Sequence, residues 1–206
     1  MTSRSITGAL AALALATAVP CTLAQDVKGK PAQKPVVADK GAMAGMAAPK
    51  PAPEMAQLKF FDGSWSCAGD FPAGPMGPAQ KTKSTVKSHT AMGGFWQVGD
   101  VSMTSPGMSM QGTFHTTYDA GQKRYVMLWV DNMGGYAQQT SPGFEGDKLV
   151  YTGEGNMMGQ KMQARDTFTK GADGSLKHSA EGQMNGQWVS MGEEICHKSA
   201  PAAAKK

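Results

Sequence analysis

The stretch "FFDGSWSC", residues 60–67, decides how the fold of this chain is interpreted. Gly63, Trp65 and Cys67 stand at alternate positions, and alternate residues share one face of a β-strand. A large aromatic ring and a thiol therefore lie on the same side of the first predicted strand. A second cysteine, Cys196, stands in the last segment of similar character. The two ends of the folded region thus carry one thiol each.

The chain that follows alternates short strand-like segments with turn sequences. Nine segments of alternating polarity follow the opening strand, from "KTKSTVKSH" at 81–89 to "QWVSMGEEICHK" at 187–198. Turn sequences such as "ADG" and "MNG" separate them and supply the Asp-Gly and Asn-Gly pairs that favour tight hairpins. This succession is typical of an antiparallel meander, in a barrel or a sandwich. Because closure removes exposed sheet edges, we predict an all-β, up-and-down barrel of about ten strands.

Residues 1–24 have the features of a signal peptide. Arg4 is followed by "ITGALAALALATAV", an apolar run of 14 residues that is too short to span a bilayer comfortably. Thr22 and Ala24 are small enough for cleavage after Ala24. A retained anchor and lipidation of Cys21 are the alternatives. We expect a periplasmic or secreted protein with no stable membrane span after cleavage.

The segments that flank the predicted barrel are polar and lack apolar periodicity. Residues 25–53 are rich in Pro, Ala and Lys, and 199–206 are similar, so we predict a disordered tether and a disordered tail around a barrel domain at 54–198. From Glu54 onward, 14 basic residues balance 14 acidic ones. The net charge of +4 therefore comes from the segment before residue 54. Since the chain from Glu54 onward is neutral, we expect no nucleic-acid partner.

Three stretches carry a resemblance to a known family: "QLKFFDGSWSCAGDF", "AMGGFWQ" and the terminal "GEEICHK". Over about residues 54–198 the chain resembles the bacterial domain-of-unknown-function family 1579, whose members look like calycin-type, lipocalin-like barrels. The resemblance implies that Gly63 and Trp65 are structural, with the tryptophan closing one barrel end beneath a basic side chain of the last strand. This chain offers His197 or Lys198 there. Membership implies no activity.

The two cysteines of the predicted barrel form an even pair in a chain expected in an oxidising compartment. Closure places the first and last strands side by side, so Cys67 and Cys196 can meet at bonding distance. We predict a disulfide that joins the seam of the barrel, where no hairpin connects the strands.

Catalytic motifs are absent from the sequence. The four histidines stand on separate segments without metal-binding spacing, and no nucleophile elbow, phosphate-binding loop or dinucleotide fingerprint occurs; they are His89, His115, His178 and His197. Glu193 and Glu194 point to opposite faces of one strand and cannot act as an acid–base pair. We expect neither an enzyme nor a resident cofactor.

Methionine and aromatic side chains recur on one face of several predicted strands. An interior lined in this way suits a small apolar or amphipathic ligand, although the same side chains can also fill the barrel. The predicted ligand-binding residues are Phe95, Met110, Phe114, Tyr125, Met127 and Trp129.

The chain also contains 16 methionines, which raises an alternative function in metal handling. Met103, Met108 and Met110 surround one predicted turn, across which we expect Met103 to lie opposite Met108. Three thioethers suit Cu(I) in an exported protein. A structural envelope protein without a ligand is the third possibility. The sequence names no protein partner.

Overall fold

The computed structural model describes residues 48–74, 78–157 and 159–199. The predicted signal peptide, residues 25–47 of the predicted tether and residues 200–206 of the predicted tail lie outside these ranges. Within the described part, no helix is long and apolar enough to cross a lipid bilayer.

Short turns divide the described chain into eleven β-strands. Their bounds are β1 Gly63–Phe71, β2 Gln80–Ala91, β3 Trp96–Ser105, β4 Met108–Asp119, β5 Arg124–Asp131, β6 Tyr136–Ser141, β7 Phe144–Glu145, β8 Lys148–Met157, β9 Gln160–Lys170, β10 Leu176–Met184 and β11 Gln187–Lys198. β7 has two residues and pairs with β8 alone. The other ten strands correspond to the ten segments predicted from alternation and turn residues.

These ten strands form a closed antiparallel barrel. Each pairs with its neighbours in chain order, β6 pairs with β8 across the short β7, and β1 pairs with β11. The predicted closure is therefore confirmed. Because alternate residues face alternate sides of a strand, the odd-numbered residues of β1 and β3 and the even-numbered residues of β2 face the interior.

A 3₁₀ helix, Pro53–Phe61, closes one end of the barrel immediately before β1. Its buried Leu58 and Phe61 contribute to the core. Backbone oxygens of the helix accept hydrogen bonds from inward-facing side chains: the Gln97 amide nitrogen donates to Leu58 O at 2.8 Å, and the Tyr125 hydroxyl donates to Glu54 O at 2.8 Å. These bonds satisfy polar groups that closure would otherwise leave buried and unpaired. The helix is the floor of the barrel.

Trp65 packs at this floor, as the resemblance implied. It is 2% exposed, and its indole N–H donates to Phe61 O at 2.8 Å. The Lys198 ammonium group lies 5.1 Å from the centre of the Trp65 ring and supplies the basic side chain of the last strand. Gly63 begins β1 with a φ of 123°, a conformation that favours glycine.

The seam between β1 and β11 carries a disulfide between Cys67 and Cys196. The two residues are direct partners in the antiparallel register, with Cα atoms 3.9 Å apart, and both face the core. The predicted bond is thus present, and it joins strands that are 129 residues apart in the chain.

The outer face of β5 is apolar and exposed within the described structure. Leu128 and Val130 are 37% and 53% exposed, whereas Met127 on the inner face is buried. The stretch "RYVMLWVD", residues 124–131, thus has apolar residues on both faces, one in the core and the other at the surface.

Candidate functional site

The barrel interior above the floor is a cavity of about 320 Å³. It extends from Leu58 and Phe61 on the helix to Phe71, Asp131 and Met157 at the strand ends opposite. We call this opposite end the mouth. Large side chains cover most of the wall, among them Phe114, Phe168 and Trp129 and the methionines Met103, Met110, Met127, Met157, Met162 and Met191.

A row of small residues on one side of the wall leaves the space for the cavity. Ala137 on β6, Gly155 on β8 and Ala164 on β9 all line it. A Cβ atom placed on Gly155 would lie 3.5 Å from the Cβ of Ala137 and 3.6 Å from that of Ala164. Three adjacent strands therefore present almost no side-chain volume at this level of the barrel.

A hydrogen-bonded network of five side chains crosses the inner wall below this level. The Gln139 amide nitrogen donates to Asp166 Oδ2 at 2.6 Å, and His178 Nε2 lies 2.8 Å from Asp166 Oδ1. His178 Nδ1 lies 3.4 Å from Glu194 Oε1, and the Ser84 hydroxyl donates to Glu194 Oε2 at 2.5 Å. We call these five residues the interior network; it links β6, β9, β10, β11 and β2.

Two glycines allow the interior network to cross strands that contribute no side chain to it. Glu194 reaches Ser84 across β1 at Gly69, where an added Cβ would lie 2.6 Å from the Glu194 Cβ. Gln139 reaches Asp166 across β8 at Gly153, where an added Cβ would lie 2.7 Å from the Gln139 Cα. Because such separations are too short for real Cβ atoms, any larger residue at either position would displace the network.

The interior network contains a charged imidazole at neutral pH. Burial lowers the pKa of His178, but hydrogen bonds and charges from Asp166 and Glu194 outweigh it and raise the pKa to about 9. Burial raises the pKa of Glu194, yet the hydrogen bonds from His178 and Ser84 hold it below its usual range. The Phe168 ring stacks on the His178 imidazole, with the two ring centres 4.6 Å apart, and this contact restricts the orientation of the imidazole. One imidazolium thus faces two carboxylates.

One acidic side chain faces inward at the mouth: Asp131 follows Met127 and Trp129 on the inward phase of β5. Asp70, Glu181 and Glu193 also border the cavity, but they lie on the outward phase of their strands and pair with Lys81, Arg165 and Lys177. No lysine or arginine is among the described residues that line the cavity. The cavity therefore combines apolar walls with inward-facing acidic groups.

Four of the six predicted ligand-binding residues line the cavity: Met110, Phe114, Met127 and Trp129. Phe95 precedes β3 and is not part of the wall. Tyr125 is 1% exposed and belongs to the floor, where its ring packs on Tyr118. Phe95 and Tyr125 therefore do not line the cavity as expected, because β3 begins at Trp96, after Phe95, and the floor helix covers Tyr125. Ligand binding by the other four residues stays a prediction.

The structure brings two of the three predicted copper ligands into register. Met103 lies directly opposite Met110, while Met108 lies opposite Ser105. The expectation that Met103 opposes Met108 was wrong, because the turn consists of Pro106 and Gly107 alone. Copper binding by these residues stays a prediction.

The sequence alone did not predict the interior network, and no function was expected for His178. A signal was present: His178 alternates with Leu176 and Ala180 on the inward phase of β10, and Glu194 alternates with Cys196 on β11. Ionisable residues in the inward phase of a strand are expensive to bury and point to a partner. The partners themselves follow only from the register.

A closed ten-stranded antiparallel barrel with a helical floor, a tryptophan under a basic side chain and an internal cavity defines a calycin-like protein. The chain belongs to the family described as protein of unknown function, DUF1579, which matches residues 50–196. No curated protein matches the chain significantly.

A solved structure with a similar fold is Rv2717c from M. tuberculosis. The comparison covers 73% of this chain and all of Rv2717c, with a TM-score of 0.56 and 12% sequence identity. At this level of identity the similarity concerns the fold alone.

Proposed function

We propose that this protein binds a small amphipathic molecule in the barrel cavity and is a binding protein rather than an enzyme. The observation that carries the proposal is the cavity of about 320 Å³, which combines apolar walls with a charged network on one side. An ordinary barrel core of this size is filled by side chains. Here Ala137, Gly155 and Ala164 leave it empty.

The lining supports a ligand with an apolar body. Methionine side chains are unbranched and polarisable, so they adapt to ligands of different shapes, and aromatic rings add large apolar contact areas. The volume is at the lower end of the range typical of small-molecule sites, roughly 300–1,000 Å³. A ligand with about ten non-hydrogen atoms in its apolar part fits this size.

We also propose that the protein is exported from the cytoplasm. The disulfide at Cys67 and Cys196 is compatible with an oxidising compartment, and the sequence of residues 1–24 supports secretion. A ligand carrier of the cell envelope combines these features.

The test uses N-phenyl-1-naphthylamine, a neutral fluorescent probe, and a variant that fills the cavity. We expect the wild-type protein to bind the probe with micromolar affinity and Ala164→Trp to weaken binding at least about tenfold, because the indole occupies the space beside Gly155. Gln163→Trp is the matched control, since Gln163 is the next residue on β9 and is exposed.

Fluorescence titration and a melting curve of each variant separate loss of binding from loss of fold. Equal affinity of Ala164→Trp and Gln163→Trp, with both variants folded, would contradict binding in the cavity. Absence of probe binding by the wild-type protein would contradict the proposed function itself.

A further inference from the structure

We propose that the ligand of this cavity carries a primary ammonium head group, which Asp166 and Glu194 of the interior network bind. This inference rests on the proposed function and names the class of ligand: a small alkylamine-like amphiphile. It is carried by the charge balance of the network, by its free acceptor atoms and by the absence of other cations in the described cavity lining.

The charge balance of the interior network is incomplete. The imidazolium of His178 contacts both carboxylates, at 2.8 Å from Asp166 and 3.4 Å from Glu194, so one positive charge faces two negative charges. Burial of an unbalanced charge is costly in a protein interior. A cationic head group supplies the missing charge, whereas an anionic head group adds to the imbalance.

The interior network also has unused hydrogen-bond acceptors. Each carboxylate oxygen of Asp166 and Glu194 has one partner and can accept a second hydrogen bond. Gln139 is 1% exposed, and its Oε1 atom accepts no hydrogen bond from the described residues. Both nitrogens of His178 are already directed at carboxylates, so the network offers acceptors in excess of donors. An ammonium group has three N–H donors and no acceptor, which matches this inventory.

The carboxylates can be reached from the cavity. The side chains of Asp166 and Glu194 are 22% and 17% exposed, and both residues are in the cavity lining. They lie between the apolar wall and the floor, so a head group that binds them places its alkyl part among the methionines and Trp129. No lysine or arginine among the described lining residues would bind an anionic head group.

The experiment compares three ligands that share a ten-carbon chain and differ in the head group. Decylamine, decanol and decanoate are titrated calorimetrically into the full chain at pH 7, below the solubility limit of decanol and the critical micelle concentrations of the two ionic ligands. We expect decylamine to bind about tenfold or more tightly than decanol, and decanoate to bind most weakly. Glu194→Gln and Asp166→Asn are each expected to reduce the preference for decylamine over decanol about tenfold.

A control variant separates the interior charges from the general acidity of the protein. Glu154→Gln removes one carboxylate from the exposed outer face of β8 and is expected to leave the preference unchanged. Ala164→Trp is expected to weaken the binding of decylamine, like that of the neutral probe, at least about tenfold. Two variants of the network are used so that misfolding of one leaves the other informative.

Equal affinities of decylamine and decanol, or decanoate binding as tightly as decylamine, would overturn the head-group proposal. Binding of the neutral probe without binding of any ten-carbon ligand would also overturn it, yet would leave the proposed function intact. If neither the probe nor the ten-carbon ligands bind, both proposals fail.

Discussion

Replacing both cysteines with alanine, Cys67→Ala/Cys196→Ala, is expected to lower the free energy of unfolding by about 3–5 kcal/mol. The bond closes a loop of 129 residues, nearly the whole barrel, so its loss frees a large part of the conformational entropy of the unfolded chain. It also joins β1 to β11, the one pair of strands that are separated by the whole length of the domain. Chemical denaturation monitored by tryptophan fluorescence measures the effect.

Alanine is preferred to serine in this test because both cysteines are buried, at 3% and 2% exposure, and a hydroxyl would add an unpaired polar group. Reduced wild-type protein is the control for the packing change, since it keeps both sulfur atoms. If the reduced wild-type protein and the double variant have similar free energies of unfolding, the loss of stability results from the missing cross-link and not from the change in packing. An unchanged stability on reduction would show that the bond does not stabilise the barrel.

His178→Leu is expected to destabilise the barrel by about 3–5 kcal/mol at pH 7, because it leaves two half-buried carboxylates without their shared cation. His89→Leu is the matched control; His89 is exposed on β2, and its replacement is expected to cost less than about 0.5 kcal/mol. Adding Glu194→Gln to His178→Leu removes one of the opposed charges and should restore part of the stability. A His178→Leu variant as stable as His89→Leu would contradict the charged network.

His178 also makes the free energy of unfolding of the wild-type protein depend on pH, and the sign of this dependence follows from its pKa. Folding raises the pKa of His178 from 6.5 to about 9, so the folded state binds the extra proton between these values. The stabilisation is complete below pH 6.5 and is lost as the pH rises through 9, by up to about 3 kcal/mol in total. The free energy of unfolding should therefore fall across this window in wild-type protein and stay level in His178→Leu.

The fold could be predicted from the sequence because its signals are local. The alternation of polar and apolar residues defines each strand, and Gly, Asn and Asp define the turns. The ten segments can therefore be identified without knowledge of how the strands pair. Closure then placed Cys67 beside Cys196. The errors occurred where one residue matters: Phe95 lies just before β3, and the two-residue turn at Pro106 and Gly107 sets Met103 opposite Met110.

The interior network could not be predicted in the same way. Ser84 and Glu194 are 110 residues apart, and their contact depends on the absence of a side chain at Gly69 on the strand between them. A single strand shows that His178 faces inward, but only the register of three strands shows that two carboxylates face it. Long-range charge pairing of this kind has no local pattern in the sequence.

The central claim, that a ligand binds inside the barrel, is tested most directly by NMR of protein labelled with ¹³C at the methionine methyl groups. The aromatic probe N-phenyl-1-naphthylamine shifts the resonances of nearby methyl groups through its ring currents. We predict shifts at Met110, Met127, Met162 and Met191, which line the cavity, and none at Met92, which is 67% exposed outside it. Shifts at Met92 with none at the four cavity methionines, at saturating probe, would contradict the account.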